Sequence, residues 1–149
     1  MKVKFNISEI PEVSQKILNK ITKGNNNDKA KIVALSGDLG AGKTTLTKEI
    51  GKLLGIKNNI ISPTFVIMKI YEINTSSEYY TKFKKLIHID AYRLNKASEL
   101  LKIGWQELIE DKDNLIIIEW PERVEECLDN DVCLVKLEHI DEETRTFEF

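Results

Sequence analysis

The stretch Lys31-Ile32-Val33-Ala34-Leu35-Ser36-Gly37-Asp38-Leu39-Gly40-Ala41-Gly42-Lys43-Thr44-Thr45 decides the fold. Its first six residues are a short apolar run that reads as a buried strand. Gly37 to Thr44 then match G-x-x-x-x-G-K-[ST], the pattern of a phosphate-binding loop. From Thr44 to Leu54, residues Leu46, Ile50, Leu53 and Leu54 fall on one helical face, and Gly55 is a stop signal. Strand, glycine loop and helix are the setting the pattern needs. The glycines let successive N–H groups point inward at phosphate oxygens. Lys43 has the reach for β- and γ-phosphates, and the Thr44 hydroxyl is placed for Mg²⁺. The helix adds the positive end of its dipole.

Working outward, Val3, Phe5 and Ile7 alternate with polar residues and predict a first strand. Ser8 is placed to cap a helix with Pro11 in its first turn and Val13, Ile17, Leu18 and Ile21 on its apolar face. Gly24-Asn25-Asn26-Asn27-Asp28 reads as a turn. Phe65 to Ile73 reads as a strand with Val66, Met68 and Ile70 on one face, and Leu86 to Asp90 as its hairpin partner. Lys96 to Ile109 predicts a helix broken at Gly104. Leu115-Ile116-Ile117-Ile118 predicts a strand buried on both faces. Pro121 to Leu128 reads as a short helix or turn, and Val132 to Ile140 with Thr144 to Phe149 as a closing hairpin. Strands alternating with helices predict one α/β domain over residues 1–149. The expected fold is P-loop NTPase-like, a mixed, mainly parallel central sheet flanked by helices, with β-hairpins.

Bulk properties narrow the function classes. At 149 residues the chain has the length of one domain with a core of its own. It has no apolar run long enough to span a membrane and no signal-peptide pattern, so a soluble cytoplasmic protein is expected. Cys127 and Cys133 fit no metal or redox spacing and read as reduced thiols. The net charge of −2 lacks the basic excess of a protein that binds nucleic acid unaided. The cations are overwhelmingly lysine, with arginine only at Arg93, Arg123 and Arg145.

A phosphate loop needs an acid for Mg²⁺ or water, and two apolar strands end in one. They are Leu86-Ile87-His88-Ile89-Asp90 and Leu115-Ile116-Ile117-Ile118-Glu119. Ligands of open α/β sheets sit at the carboxyl ends of strands, where both acids fall. The residues leave open which of the two contacts Mg²⁺ directly. Ser62-Pro63-Thr64 reads either as a γ-phosphate-sensing switch or as a proline turn before a strand. Trp120 suits stacking on a base or a partner, or plain core packing. His88 reads as a structural histidine. Arg93 and Arg145 are placed to offset phosphate charge, and Arg145 reads equally as a strand-surface residue. The guanine signature Asn-Lys-x-Asp is absent, since Asn95-Lys96-Ala97 is followed by Ser98. ATP is therefore the expected nucleotide.

Four motifs together resemble one family. They are Gly37 to Thr45, Ser62-Pro63-Thr64-Phe65, His88-Ile89-Asp90-Ala91-Tyr92-Arg93-Leu94 and Ile118-Glu119-Trp120-Pro121-Glu122. Their order and spacing resemble TsaE, also called YjeE, a family of small bacterial ATPases needed for the threonylcarbamoyl modification of tRNA adenosine. The resemblance implies Mg²⁺-dependent ATP hydrolysis acting on partners of the TsaB and TsaD type, with tRNA met only indirectly. It implies Mg²⁺ contacts at Thr44 and Glu119, a need for Asp90 in hydrolysis, and a switch at Ser62 to Thr64. It also implies an approach to adenine around Ser8 to Ile10 and a final-hairpin arginine at Arg145. A nucleotide-gated binding module and a small-molecule kinase are the alternatives.

Overall fold

The computed structural model describes residues 2–24, 28–129 and 131–149. The turn expected at Gly24 to Asp28 is centred on Asn25 to Asn27, outside the described residues. Seven strands form one sheet: β1 Lys2–Asn6, β2 Lys31–Ser36, β3 Met68–Glu72, β4 Lys85–Asp90, β5 Asn114–Glu119, β6 Cys133–His139 and β7 Thr144–Glu148. The helices are α1 Ile10–Lys23, α2 Lys43–Leu53, α3 Ala97–Lys102 and α4 Trp105–Glu110. The sheet order is β1-β7-β6-β2-β5-β4-β3. The central four strands, β6, β2, β5 and β4, are mutually parallel. The edges are antiparallel: β3 on β4, and β7 with β1 beside β6. This is the mixed α/β sheet, parallel at its core, that the alternation of elements predicts.

The sheet buries both faces. Val33, Leu35, Leu86, Leu115 and Ile117 pack with Val13, Ile17 and Leu18 of α1 and with Leu46 and Ile50 of α2. Ala34, Ile87, Ile89, Ile116 and Ile118 pack with Leu100, Trp105 and Val124 on the other side. Every residue of β5 is buried, as a strand between two layers requires. Gly104, at φ 89°, breaks the helical stretch into α3 and α4. Among the described residues no helix is long and apolar enough to cross a membrane.

Two local expectations are corrected. The cap ahead of the first helix belongs to Asn6, not Ser8. Asn6 Oδ1 accepts from the Ser8 N–H at 3.0 Å, and Glu9 accepts from the Asn6 N–H at 2.6 Å. This capping box opens a 3₁₀ turn over Ile7–Glu9, which leads into α1. The strand expected from Phe65 begins only at Met68, because Ile67 at φ 69° turns the chain. Met68 and Ile70 do share a face, paired with Ile89 and Ile87. That face is only partly covered at the sheet edge: Met68 packs against the core but Ile70 is 49% exposed, whereas Tyr71 on the opposite face is 7% exposed. Period-two alternation identifies two faces but not which one a neighbouring layer covers.

Candidate functional site: a phosphate loop with two strand-end carboxylates

The loop runs from the end of β2 to the start of α2. At Gly37 the chain passes so close to β6 that a Cβ would lie 2.5 Å from the Leu137 carbonyl oxygen. Gly42, at φ 105°, is the residue before α2, a conformation that excludes most side chains. A Cβ at Gly40 or Gly42 would meet nothing within 4 Å, so the loop wraps open space. Lys43 is only 5% exposed. Its Nζ donates to the Gly37 carbonyl and, at 2.9 Å, to the Asp38 carbonyl. It also lies 4.4 Å from the centroid of the Trp120 ring. Burial lowers the Lys43 ammonium from its ordinary titration range, against the pull of Glu119, Asp90, Glu122 and Asp38.

The two acids stand side by side. Asp90 and Glu119 are direct register partners on parallel β4 and β5, so both carboxylates leave the same face. Both are nearly buried, at 4% and 3% exposure. Glu119 accepts from the Thr44 hydroxyl at 3.1 Å and contacts His88 Nε2 at 2.9 Å. Asp90 holds the segment before β3. Its Oδ2 accepts from Thr64 at 3.0 Å and Ser62 at 3.5 Å, and its Oδ1 from the Tyr92 N–H at 2.9 Å.

These groups converge on a cavity of about 280 Å³. Of the expected site residues, Leu39, Gly40, Gly42, Lys43, Thr44, Thr45, Thr64, Asp90, Glu119 and Trp120 line it, together with Ser62 and Tyr92. A second cavity of about 90 Å³ shares Gly40, Gly42 and Thr45 with the first and is also lined by Ala41 and Arg145. Its apolar walls are Phe5, Ile7, Ile10, Leu46 and Leu137. Ser8 lines neither cavity; its hydroxyl bonds Asn6 Oδ1 at 2.9 Å. Gly37 and Asp38 contribute carbonyls to Lys43 rather than walls. Arg93 stacks over Phe65, 4.5 Å from the ring centroid, and lines neither cavity.

In the sequence His88 reads as structural, Tyr92 and Glu122 stand only within the family motifs, and three contacts escape that reading. His88 touches Glu119, Tyr92 packs on Trp120 with centroids 5.1 Å apart, and the Ser36 hydroxyl bonds Glu122. His88 carried a signal: it is two residues from Asp90 on a strand, hence on the same face. Trp120, in the left-handed region at φ 59°, is turned against both Lys43 and Tyr92.

Among the described residues no cluster of three or more His, Cys, Asp or Glu could hold a metal unaided. The oxygen donors of Thr44 and Glu119 instead fit Mg²⁺, which keeps waters and substrate phosphates in its shell and takes one or two protein ligands. The open loop and its backbone N–H groups fit a phosphate chain in the same way.

Comparison with known proteins agrees over nearly the whole chain. The family model described as "Threonylcarbamoyl adenosine biosynthesis protein TsaE" matches residues 6–147. A protein of Rickettsia felis named tRNA threonylcarbamoyladenosine biosynthesis protein TsaE is 40% identical over 115 residues, covering 76% of this chain and 61% of that protein. One of the same name in Haemophilus influenzae is 35% identical over 115 residues, covering 77% of this chain and 67% of that protein. The crystal structure of Bacillus subtilis YdiB superposes with a TM-score of 0.65 at 26% identity, covering 99% of this chain and 83% of that one. The chain thus spans about three fifths of the Rickettsia felis relative's length. With the family model matched from residue 6 to residue 147, the chain belongs to the TsaE family of threonylcarbamoyl adenosine biosynthesis proteins.

Proposed function

We propose that this chain is a Mg²⁺-dependent ATPase that supports threonylcarbamoyl modification of tRNA adenosine by acting on partners of the TsaB and TsaD type in the cytoplasm. The observation that carries the proposal is the convergence of Lys43, Thr44, Asp90 and Glu119 on one cavity beside an open glycine loop. Loop N–H groups and Lys43 bind the phosphates, for which Lys43 exchanges its carbonyl partners Gly37 and Asp38. Thr44 and Glu119 hold Mg²⁺, which when bound offsets charge on the terminal phosphates. Asp90 orients the attacking water or the segment that does so. Positioning and electrostatics supply most of the rate in such chemistry, so few covalent tasks fall to the protein. The smaller apolar cavity between Ile7, Ile10 and Arg145 suits the adenine ring. ATP is chosen over GTP because the guanine-reading Asn-Lys-x-Asp pattern is absent. With a net charge of −2 the chain meets tRNA through its partners rather than by a basic face of its own.

One observation favours a second reading, a nucleotide-gated binding module. Both Asp90 oxygens already accept hydrogen bonds within the protein, as a latch would and a free base would not. Phosphate release from ATP, with and without TsaB- and TsaD-type partners, tests the proposal. Turnover that rises when the partners are added supports it; turnover indifferent to them contradicts the partner assignment. If Asp90→Ala abolishes turnover yet leaves tRNA modification intact in a reconstituted system, the binding module is the better description.

A further inference from the structure

His88 is a buried polar group beside the site that the proposed chemistry does not use. It is fully buried in mid-sheet, on the face that carries Leu86 below it and Asp90 above it. Its register partner on β5 is Ile117, which makes Glu119 its diagonal neighbour two residues on. Diagonal neighbours on one sheet face lie within reach of a long or ring side chain, and His88 Nε2 closes on Glu119 Oε1 at 2.9 Å. As the carboxylate proposed to serve Mg²⁺, Glu119 only accepts, which assigns the donor role in this contact to Nε2–H. The other ring nitrogen, Nδ1, is buried with no hydrogen-bond partner among the described residues. A ring kept for packing alone would leave that nitrogen unsatisfied for no return, and an apolar side chain would fill the same place without it. The same Glu119 Oε1 accepts from the Thr44 hydroxyl at 3.1 Å, with Oε2 at 3.4 Å.

We infer that His88 is a positioning residue: its Nε2–H fixes the Glu119 carboxylate in the orientation that meets Thr44 and faces the cavity. It touches neither substrate nor metal and acts through Glu119. Donors that orient a metal-binding carboxylate set metal affinity as well as geometry. The inference rests on the proposal that Glu119 serves Mg²⁺, and its test separates the two.

The test is the affinity for a fluorescent ATP analogue, measured in saturating Mg²⁺ and again in EDTA, with thermal melts alongside. The wild-type chain binds more tightly in Mg²⁺. In H88L that Mg²⁺-dependent gain falls by about ten- to a hundredfold, while affinity in EDTA is unchanged. In H88Q, whose amide N–H reaches the position of Nε2, most of the gain returns. If H88L does not fold, H88Q against H88N decides the matter. The shorter asparagine amide stops near Nδ1 and falls short of Glu119, so the gain is kept in H88Q and lost in H88N. The inference is overturned if H88L keeps the whole gain, if it loses affinity equally in EDTA, or if H88Q does no better than the variant beside it. A wild-type chain with no Mg²⁺-dependent gain overturns the reading of Glu119 itself, and the role of His88 with it.

Discussion

The phosphate loop and the segment from Ser62 to Ile67 border the same cavity but are built in opposite ways. The loop is tied to the core. It follows a buried strand, crosses against β6 at Gly37, and leads into α2, whose Leu46 and Ile50 are buried. The segment is anchored at its ends, where Pro63 is buried and the Ile67 carbonyl accepts from the Asp90 N–H at 2.9 Å, but is loose between them. Phe65 is 84% exposed and Val66 59% exposed, and the cavity side of the segment is held by the Thr64 and Ser62 bonds to Asp90. A neutral hydroxyl bonded to a charged group contributes about 1.5–3 kcal/mol, enough to favour one position and small enough for a ligand to reverse. Under the proposed function the loop would hold phosphate and the segment would report what is held. The contacts also divide the acids: Glu119 belongs to the loop through Thr44, and Asp90 to the segment through Thr64.

That division can be broken by experiment. Glu119→Ala should cost the most. It removes the loop's carboxylate, and Mg²⁺-dependent nucleotide affinity should fall by about a hundredfold, the upper end of what losing even a supporting partner costs a metal site. Affinity in EDTA should hold; an equal loss in both conditions would make Glu119 structural. Asp90→Ala should reduce ATP turnover by about a hundredfold with a much smaller change in Mg²⁺-nucleotide affinity. Steady-state kinetics beside equilibrium titration separates the two effects, and a matching loss of affinity would erase the distinction between the acids.

Thr64→Val is the milder version of the same cut. It removes one hydrogen bond and should lower the local stability of the segment by about 1.5–3 kcal/mol. Faster amide exchange at 64–67, with exchange in α2 unchanged, is the expected result. Exchange rising equally in both would mean that loop and segment are one unit. Phe65→Ser should have the smallest effect on the fold, within about 0.5 kcal/mol in chemical denaturation, because the ring is already in solvent. A larger loss would show that its stacking with Arg93 anchors the segment.

Legibility in the sequence followed the same divide. The loop, α2 and the two acids were readable because their chemistry is local. A glycine pattern fixes a backbone path, and an acid that closes an apolar run falls at a strand end. The register that sets Asp90 beside Glu119 was not readable, because β4 and β5 are separated by two helices and pairing is a long-range choice. The diagonal contact of His88 with Glu119 depends on that register. The exposed side of β3 was hidden for a related reason: alternation marks Met68 and Ile70 as one face but does not reveal that β3 closes the sheet edge. At the first helix, Asn6 and Ser8 are both good capping residues, and the Glu9 bond to the Asn6 N–H decides between them.

The central claim is that the loop and its two acids turn over ATP, and the most direct measurement is phosphate release by the wild-type chain and by Lys43→Ala in Mg²⁺, with TsaB- and TsaD-type partners present. The account predicts measurable turnover in the wild type and a loss of about a hundred- to a thousandfold in the variant, with circular dichroism showing the fold intact. Turnover in Lys43→Ala equal to that of the wild type would contradict it.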